Sequence, residues 1–551
     1  MERELPPPDA MHHPIRRARP LRVALHAALT IALLAPAGHG LGASPAPPAP
    51  APFALQASSR TKARAKTQTK RPARRTTRRT RSRAATPVAS IAWTSPNGLP
   101  ALTSDLSGMI STKIRSGRFG VMVASLTRGD TLFAQNAGEM MQPASTMKLF
   151  STAVALDRFG PEHSFSTDVL RDAPLGGDGT ITGSIYLRAD GDPSMSARFY
   201  HDPNLPMATL ARSVAAAGVK RVTGDLVFDA TAFDDRRIPD GWKSTYLGAA
   251  YAARVSALSL NENIVWVVVQ PAGKQAAVTL EPASTTIPVR SKVRLVGGRG
   301  GRIIARRAAD GGIDVSGSIG SSSGPLRYSL VVDDPALFTA GALRAALQAA
   351  GVTVDGAIKA GKTPANAEKV ASLASPPLSR IVSEMNRESI NIVAELLFRD
   401  AARASAADVG TAETGLANLR DFMQKKVEAD PQQIRVSDGS GLSTLDFMTP
   451  RAMIHLLGYA HKGPWSSAFH GSLPVAGESE LLRRRMRATP AQGNLHAKTG
   501  TTNDVVSLAG YVTARNGEIL AFSFIYNGSD RWNAKATIDA MGATLANFVR
   551  E

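Results

Sequence analysis

Cysteine is absent from the 551 residues, which excludes disulfides, a thiolate nucleophile and any zinc–thiolate centre. The ten histidines form no His-Glu-x-x-His pair, so a zinc peptidase finds no support and no cofactor is expected. Acidic residues are missing from one long stretch. Residues 10–104 hold no Asp or Glu and carry 16 Lys and Arg, so the net charge of +20 divides into −2 for residues 1–9, +16 for this stretch and +6 for the remainder. A long apolar run is lacking too. Val23 to Ala35 is the longest apolar stretch near the start, and a spanning helix needs about 20 residues.

That apolar stretch follows Arg16, Arg17, Arg19 and Arg22 and precedes small residues around Ala35-Pro36-Ala37 and Gly42-Ala43. The pattern predicts a signal peptide over residues 1–43, and hence export to the periplasm or cell envelope. Residues 44–57 are rich in Pro and Ala, and residues 58–86 in Arg, Lys, Thr and Ser. Such a composition buries too little apolar surface to offset its ordering entropy, so 44–97 reads as a disordered basic tether. Its charge suits anionic envelope polymers. Nucleic acid is not expected as a partner, because an exported chain rarely meets it.

The remainder is long enough for several domains. Phe119 to Ala134 predicts a hairpin turning at Arg128-Gly129-Asp130. Leu149, Ala153, Leu156 and Phe159 predict a helix from about Ser145 that Gly160-Pro161 stops. Residues 166–372 alternate Val, Leu and Ile among many Gly and predict a β-rich region. Helical periodicity returns over Ile381 to Ala404. The chain then closes with strands at Val505–Thr513 and Ile519–Tyr526 and a helix from Asn533 to Arg550.

Three short motifs carry chemistry. In Ser145-Thr146-Met147-Lys148, the i and i+3 side chains share a helix face, so the amine can take the hydroxyl proton that a serine nucleophile must lose. Burial would lower the lysine pKa enough for that role. The helix start also offers backbone N–H groups to an oxyanion. The bland alternative is an N-cap serine, and Ser59-Arg60-Thr61-Lys62 shows how easily the motif arises by chance. In Ser389-Ile390-Asn391, the hydroxyl can shuttle a proton to a leaving amine, and the amide can hold either the first Lys or a substrate carbonyl. Taken alone it is a polar helix start. In Lys498-Thr499-Gly500-Thr501, the Gly permits close approach of a substrate backbone. Lys498 and Thr499 can bind a carboxylate, and the Thr501 N–H can be a second oxyanion donor. Taken alone it is an ordinary edge strand.

Together, in this order, the three motifs resemble the Ser-x-x-Lys, Ser-Asp-Asn and Lys-Thr-Gly set of penicillin-binding proteins and class A β-lactamases. Residues 98–550 resemble the class C low-molecular-mass penicillin-binding proteins, which are D-Ala-D-Ala carboxypeptidases and endopeptidases. Further stretches carry the resemblance, among them Ile185 to Ser194, Val222 to Leu226, Val255 to Asn263, Met385 to Ser389, Asp438 to Ser443 and His496 to Thr501. The gap of 244 positions from Ser145 to Ser389 is similar to that of the family, where extra domains are inserted.

The resemblance implies a mixed α/β (α+β) fold. A split β-lactamase/transpeptidase-like domain, residues 98–165 and 373–551, would hold two inserted β-rich domains, 166–372. It implies that Ser145 is acylated, that Lys148 is its base, that Ser389, Asn391 and Lys498 complete the proton network, and that β-lactams inhibit. Peptidoglycan peptides would be the substrate. Two positions depart from the family. Ile390 stands where Asp is common, and Tyr246 stands where relatives have an Asp that grips a diamino-acid ammonium. Two other readings remain open at this stage, a β-lactamase and a non-catalytic wall-binding penicillin sensor.

Overall fold

The computed structural model describes residues 92–114, 116–405 and 408–550. These lie in one unit, residues 85–551. The expected signal peptide, and the tether up to residue 91, fall outside the described residues. Among the described residues no helix is long and apolar enough to cross a membrane.

The two ends of this unit build one antiparallel sheet. Its order is His496–Thr501, Val505–Thr513, Ile519–Asn527, Arg118–Ser125 and Thr131–Gln135. Arg118 pairs with Asn527 and Ser125 with Leu520, in unbroken register. Val505–Thr513 and Ile519–Asn527 are buried almost throughout, because both faces of the sheet are covered. Alternation then sorts their side chains. Leu508, Phe522 and Phe524 pack with Leu102, Leu106, Ile538 and Met541 of the helices Leu99–Lys113 and Arg531–Ala546. Ala509, Ala521 and Ile525 face the opposite way, into a helical layer containing Leu149, Leu397 and Leu456. Each such leucine or phenylalanine contributes roughly 1.5–3 kcal/mol on burial.

Residues 166–372 form several smaller sheets. One has five strands, in the order Ile358–Ala360, Leu226–Asp229, Ile185–Ala189, Ser166–Arg171 and Glu368–Ala374. Two three-stranded sheets follow, one around Ile264–Ala272 and one around Ile313–Gly320. The region expected to be β-rich also contains the helices Leu205–Ala216 and Pro335–Ala349. Both are rich in Ala and Leu, and both carry Pro in the first turn, where its missing N–H costs nothing.

Two other elements differ from expectation. The periodic stretch Ile381 to Ala404 is two helices, Leu378–Glu388 and Asn391–Ser405, broken where Ser389 adopts a left-handed conformation. The last helix stops at Ala546 rather than Arg550. Beyond it, Val549 lies beside Asn97, donating to Pro96 O at 3.1 Å and accepting from Gly98 N at 2.9 Å.

Candidate active site

Ser145 lies in a tight turn, Ala144–Met147, that runs directly into the helix Lys148–Phe159. The turn is pinned to the central sheet, since Ser507 Oγ donates to Pro143 O at 2.6 Å. Ser145 is half-buried and Lys148 is fully buried. The Lys148 amine donates to Ser145 Oγ at 3.1 Å, to Asn391 Oδ1 at 2.6 Å and to Ser440 O at 2.7 Å. All three ammonium protons are thus used, and every acceptor is neutral. Burial pushes the Lys148 pKa down to about 8, against the pull of the Asp438, Glu395 and Asp446 carboxylates.

The left-handed Ser389 explains how a Ser-x-Asn triplet works at a helix break. The turn sends Ile390 into the core, 6% exposed, while Asn391 opens the next helix. Asn391 Nδ2 donates to Tyr251 O at 2.8 Å, which fixes the amide so that Oδ1 faces Lys148. Ser389 Oγ accepts from Lys498 Nζ at 2.9 Å, and the same amine reaches Thr499 O at 2.9 Å. Burial and then the charge of Lys148 hold the Lys498 pKa well below its ordinary value. Ser145, Lys148 and Asn391 therefore form one hydrogen-bonded group, with the Ser389–Lys498 pair beside it.

His496–Thr501 is an edge strand of the sheet. Ala497 N–H leaves the sheet to bond Pro474 O at 3.0 Å. With the two-residue alternation of a strand, the N–H groups of Thr499 and Thr501 face that same open edge. Gly500 answers to a further constraint besides the expected one. A Cβ there would overlap Ser507 Oγ and lie 2.8 Å from Pro143 O and 3.0 Å from Ser145 N. The glycine makes room for the serine turn.

Several contributors have no side-chain signature in the motifs. The Ser440 carbonyl comes from a loop organised by Asp438, which accepts from Ser440 N at 2.8 Å, Gly441 N at 2.6 Å, Ser443 N at 2.7 Å and Trp242 Nε1 at 2.7 Å. Gly441 has φ +80°, and any Cβ on it would strike the Ala144 carbonyl. Glu395 stands one turn after Asn391 on the same helix face. Burial and the Asp438 charge push its carboxyl up to about 8. Asn391, Glu395 and Arg399, a polar residue every fourth position in the otherwise apolar stretch 391–399, were the available signal.

Tyr246 is not open to a ligand. It is 9% exposed, packed with Trp242 and Ala252, and its ring lies 5.9 Å from the Lys243 amine of the same chain. Lys243 also approaches Asp504 at 3.5 Å. The nearby acids are engaged as well, Asp234 with Arg399 and Asp240 with Arg236.

The profile of the D-Ala-D-Ala carboxypeptidase 3 (S13) family matches residues 105–548. The chain belongs to that family. It is therefore a D-Ala-D-Ala carboxypeptidase, a hydrolase of the serine-peptidase kind. Among S13 relatives, the D-alanyl-D-alanine carboxypeptidase of Actinomadura sp. (strain R39) is 34% identical, over 82% of this chain and 85% of its own length. D-alanyl-D-alanine carboxypeptidase DacB of Haemophilus influenzae is 23% identical over 78% of this chain and 90% of its own. The crystal structure of penicillin binding protein 4 (dacB) from Haemophilus influenzae superimposes with TM-score 0.65 at 22% identity, covering 81% of this chain and 98% of that one. This last likeness establishes the shared multidomain fold.

Proposed function

We propose that the protein trims peptidoglycan peptides through an acyl-enzyme on Ser145. Neutral Lys148 takes the Ser145 hydroxyl proton, and Oγ attacks the carbonyl of the penultimate D-Ala. The oxyanion is held by the Ser145 and Thr501 backbone N–H groups. The C–N bond breaks, and the departing D-Ala amine takes a proton relayed through Ser389 and Lys498. Water then attacks the ester, giving up its proton to the amine network and releasing the shortened peptide. Asn391 holds Lys148 in place, while Lys498 and Thr499 face the terminal carboxylate. The same steps on a D-Ala–diamino-acid cross-link would be endopeptidase action.

The observation that carries this reading is a fully buried amine, 3.1 Å from Ser145 Oγ, satisfied only by neutral acceptors. Such an amine gives up its proton near neutral pH. A class A β-lactamase would need a carboxylate to activate water, and among the described residues none hydrogen-bonds Ser145 or Lys148. β-Lactams should acylate Ser145, in keeping with the β-lactam complex of the Haemophilus influenzae penicillin binding protein 4. A wall substrate supports export to the periplasm or envelope, with the signal over 1–43 and the basic stretch 44–91 as a tether to anionic polymers; residues 92–97, expected to belong to the tether, instead pack on the folded unit, where Thr94 N donates to Thr544 Oγ1 at 3.0 Å. The domain boundaries follow the same reading. Residues 98–165 and 373–551 share the central sheet, and 166–372 is inserted between them. Mass spectrometry of the penicillin-treated protein tests the proposal. An adduct on the Ser145 peptide is expected, and an adduct elsewhere, or none, overturns it.

A further inference from the structure

The three-stranded sheet Val289–Val296, Ile313–Gly320 and Gly301–Arg307 lies in the inserted region, and none of its residues takes part in the catalytic hydrogen bonds. One face is core, with Ile303, Ile313, Val315 and Ile319 packed inward. By alternation the other face presents Arg290, Lys292 and Arg294 from the first strand and Arg302, Ile304 and Arg306 from the last. The strand between them contributes Asp314, Ser316 and Ser318.

Register sets the pattern. Arg294 pairs with Ser318 and Ser318 with Arg302, so one cross-strand row reads Arg-Ser-Arg. The next row is Lys292, Ser316, Ile304, and the one after is Arg290, Asp314, Arg306. Strands about 4.8 Å apart place the Arg columns roughly 10 Å from one another, with a lane of hydroxyls between. Charge is only partly compensated along this lane, where Asp314 stands at one end. Asp310 and Asp314 both bond Arg290. Among the described residues, Lys292, Arg294, Arg302 and Arg306 have no carboxylate partner.

We propose that this face is a docking surface for an acidic, phosphate-bearing polymer of the cell envelope, which lies along the serine lane between the two columns of cations. Four unpaired cations over a strip of hydroxyls match a chain of phosphates, which needs repeated charge and hydrogen-bond donors. A bilayer would want an apolar wedge, and the face exposes only Val296 and Ile304 as large apolar side chains. Docking here would hold the enzyme on the wall while leaving the Ser145 cleft free. The choice of an envelope polymer rests on the peptidase reading. Penicillin labelling run alongside separates a failure of that reading from a failure of this one.

The test uses the full chain and long-chain inorganic polyphosphate as the probe. Wild type is compared with the fourfold variant Lys292→Gln, Arg294→Gln, Arg302→Gln and Arg306→Gln. A charge-matched control carries glutamine at the exposed Arg212, Lys220, Lys426 and Lys462. Binding is measured against salt. Loss of four phosphate contacts should flatten the plot of log affinity against log salt by about 3, at ~0.7 per contact on a single-stranded polyanion. The basic stretch before residue 98 is common to all three proteins and cancels. A slope equal to wild type, or an equal fall in the control, overturns the proposal. So does a fall as large on phosphatidylglycerol vesicles, which would mark a membrane face, or a larger fall on duplex DNA. Penicillin labelling should be the same in all three proteins.

Discussion

Raising the pH from about 6 to about 8 should speed acylation of Ser145 roughly fiftyfold, because a base with a pKa of about 8 goes from ~1% to ~50% neutral over that range. Above about pH 9 the rate should level off. Asp438→Asn tests the cause. A carboxylate beside an ammonium favours the charged form and raises its pKa, and Asp438 is the largest such influence on Lys148. Removing that charge lets burial act with less opposition, so the Lys148 pKa falls further and the acid limb moves to lower pH. The plateau should fall at the same time. Ser443 N–H and Trp242 Nε1–H both donate to Asp438 Oδ2, and an amide there loses two charge-assisted bonds, each about 1.5–3 kcal/mol. The loop that aims the Ser440 carbonyl is loosened. The assay is stopped-flow labelling with a fluorescent penicillin that has no group titrating over the range. A flat wild-type profile would refute Lys148 as the base. A limb that stays put in Asp438→Asn, or moves to higher pH, would refute the electrostatic account while leaving a purely structural role for Asp438.

Three further outcomes are expected. Ser145→Ala should abolish penicillin labelling with an unchanged melting temperature, and Lys148→Ala should slow acylation by ~10²-fold or more; normal labelling of the first would move the nucleophile elsewhere. Gly441→Ala should abolish labelling through the serine turn alone, because its Cβ meets the Ala144 carbonyl at a positive φ; near-native acylation would show that the turn and the Asp438 loop move independently. Tyr246→Asp should gain little for peptides with a free diamino-acid ammonium, since Lys243 stands over that position and would pair with the new carboxylate. Lys243→Ala should improve kcat/KM for the free ammonium relative to the acetylated peptide, and the opposite ranking would place the ammonium subsite elsewhere.

The legible part of the site is the part written in side chains at fixed spacing. Ser145 and Lys148 are three apart on a helix start, and the structure gives them the expected hydrogen bond. Asn391 was read as holding either the first lysine or a substrate carbonyl, and here it holds the lysine. The central sheet was legible for a similar reason, since two long apolar strands buried on both faces stand out. What sequence spacing hid was written in backbone. Asp438 is bound by three peptide N–H groups, and the loop it holds presents the Ser440 carbonyl; neither has a residue-type signature. Gly500 was given a role toward substrate, and the structure adds a second demand on its hydrogen from the turn behind it. Tyr246 was read only as standing where relatives have an Asp, and the placing of Lys243 over its ring depends on a short turn, Ser244–Tyr246, that no periodicity announces.

The pairing of Arg118–Ser125 with Ile519–Asn527 joins segments about 400 residues apart, and such a closure forms late because its chain entropy is lost before its contacts repay it. A chain interrupted before its final sixty residues would already carry Ser145, Lys148, Ser389 and Asn391. It would lack Lys498, the Ser507 peg on Pro143 and the strand that covers one edge of the first hairpin. On the proposed mechanism, Ser145 is among the first parts of the folded unit to be synthesised and among the last to become competent. A truncated product should thus be inert toward the wall and, with a strand edge uncovered, prone to aggregate.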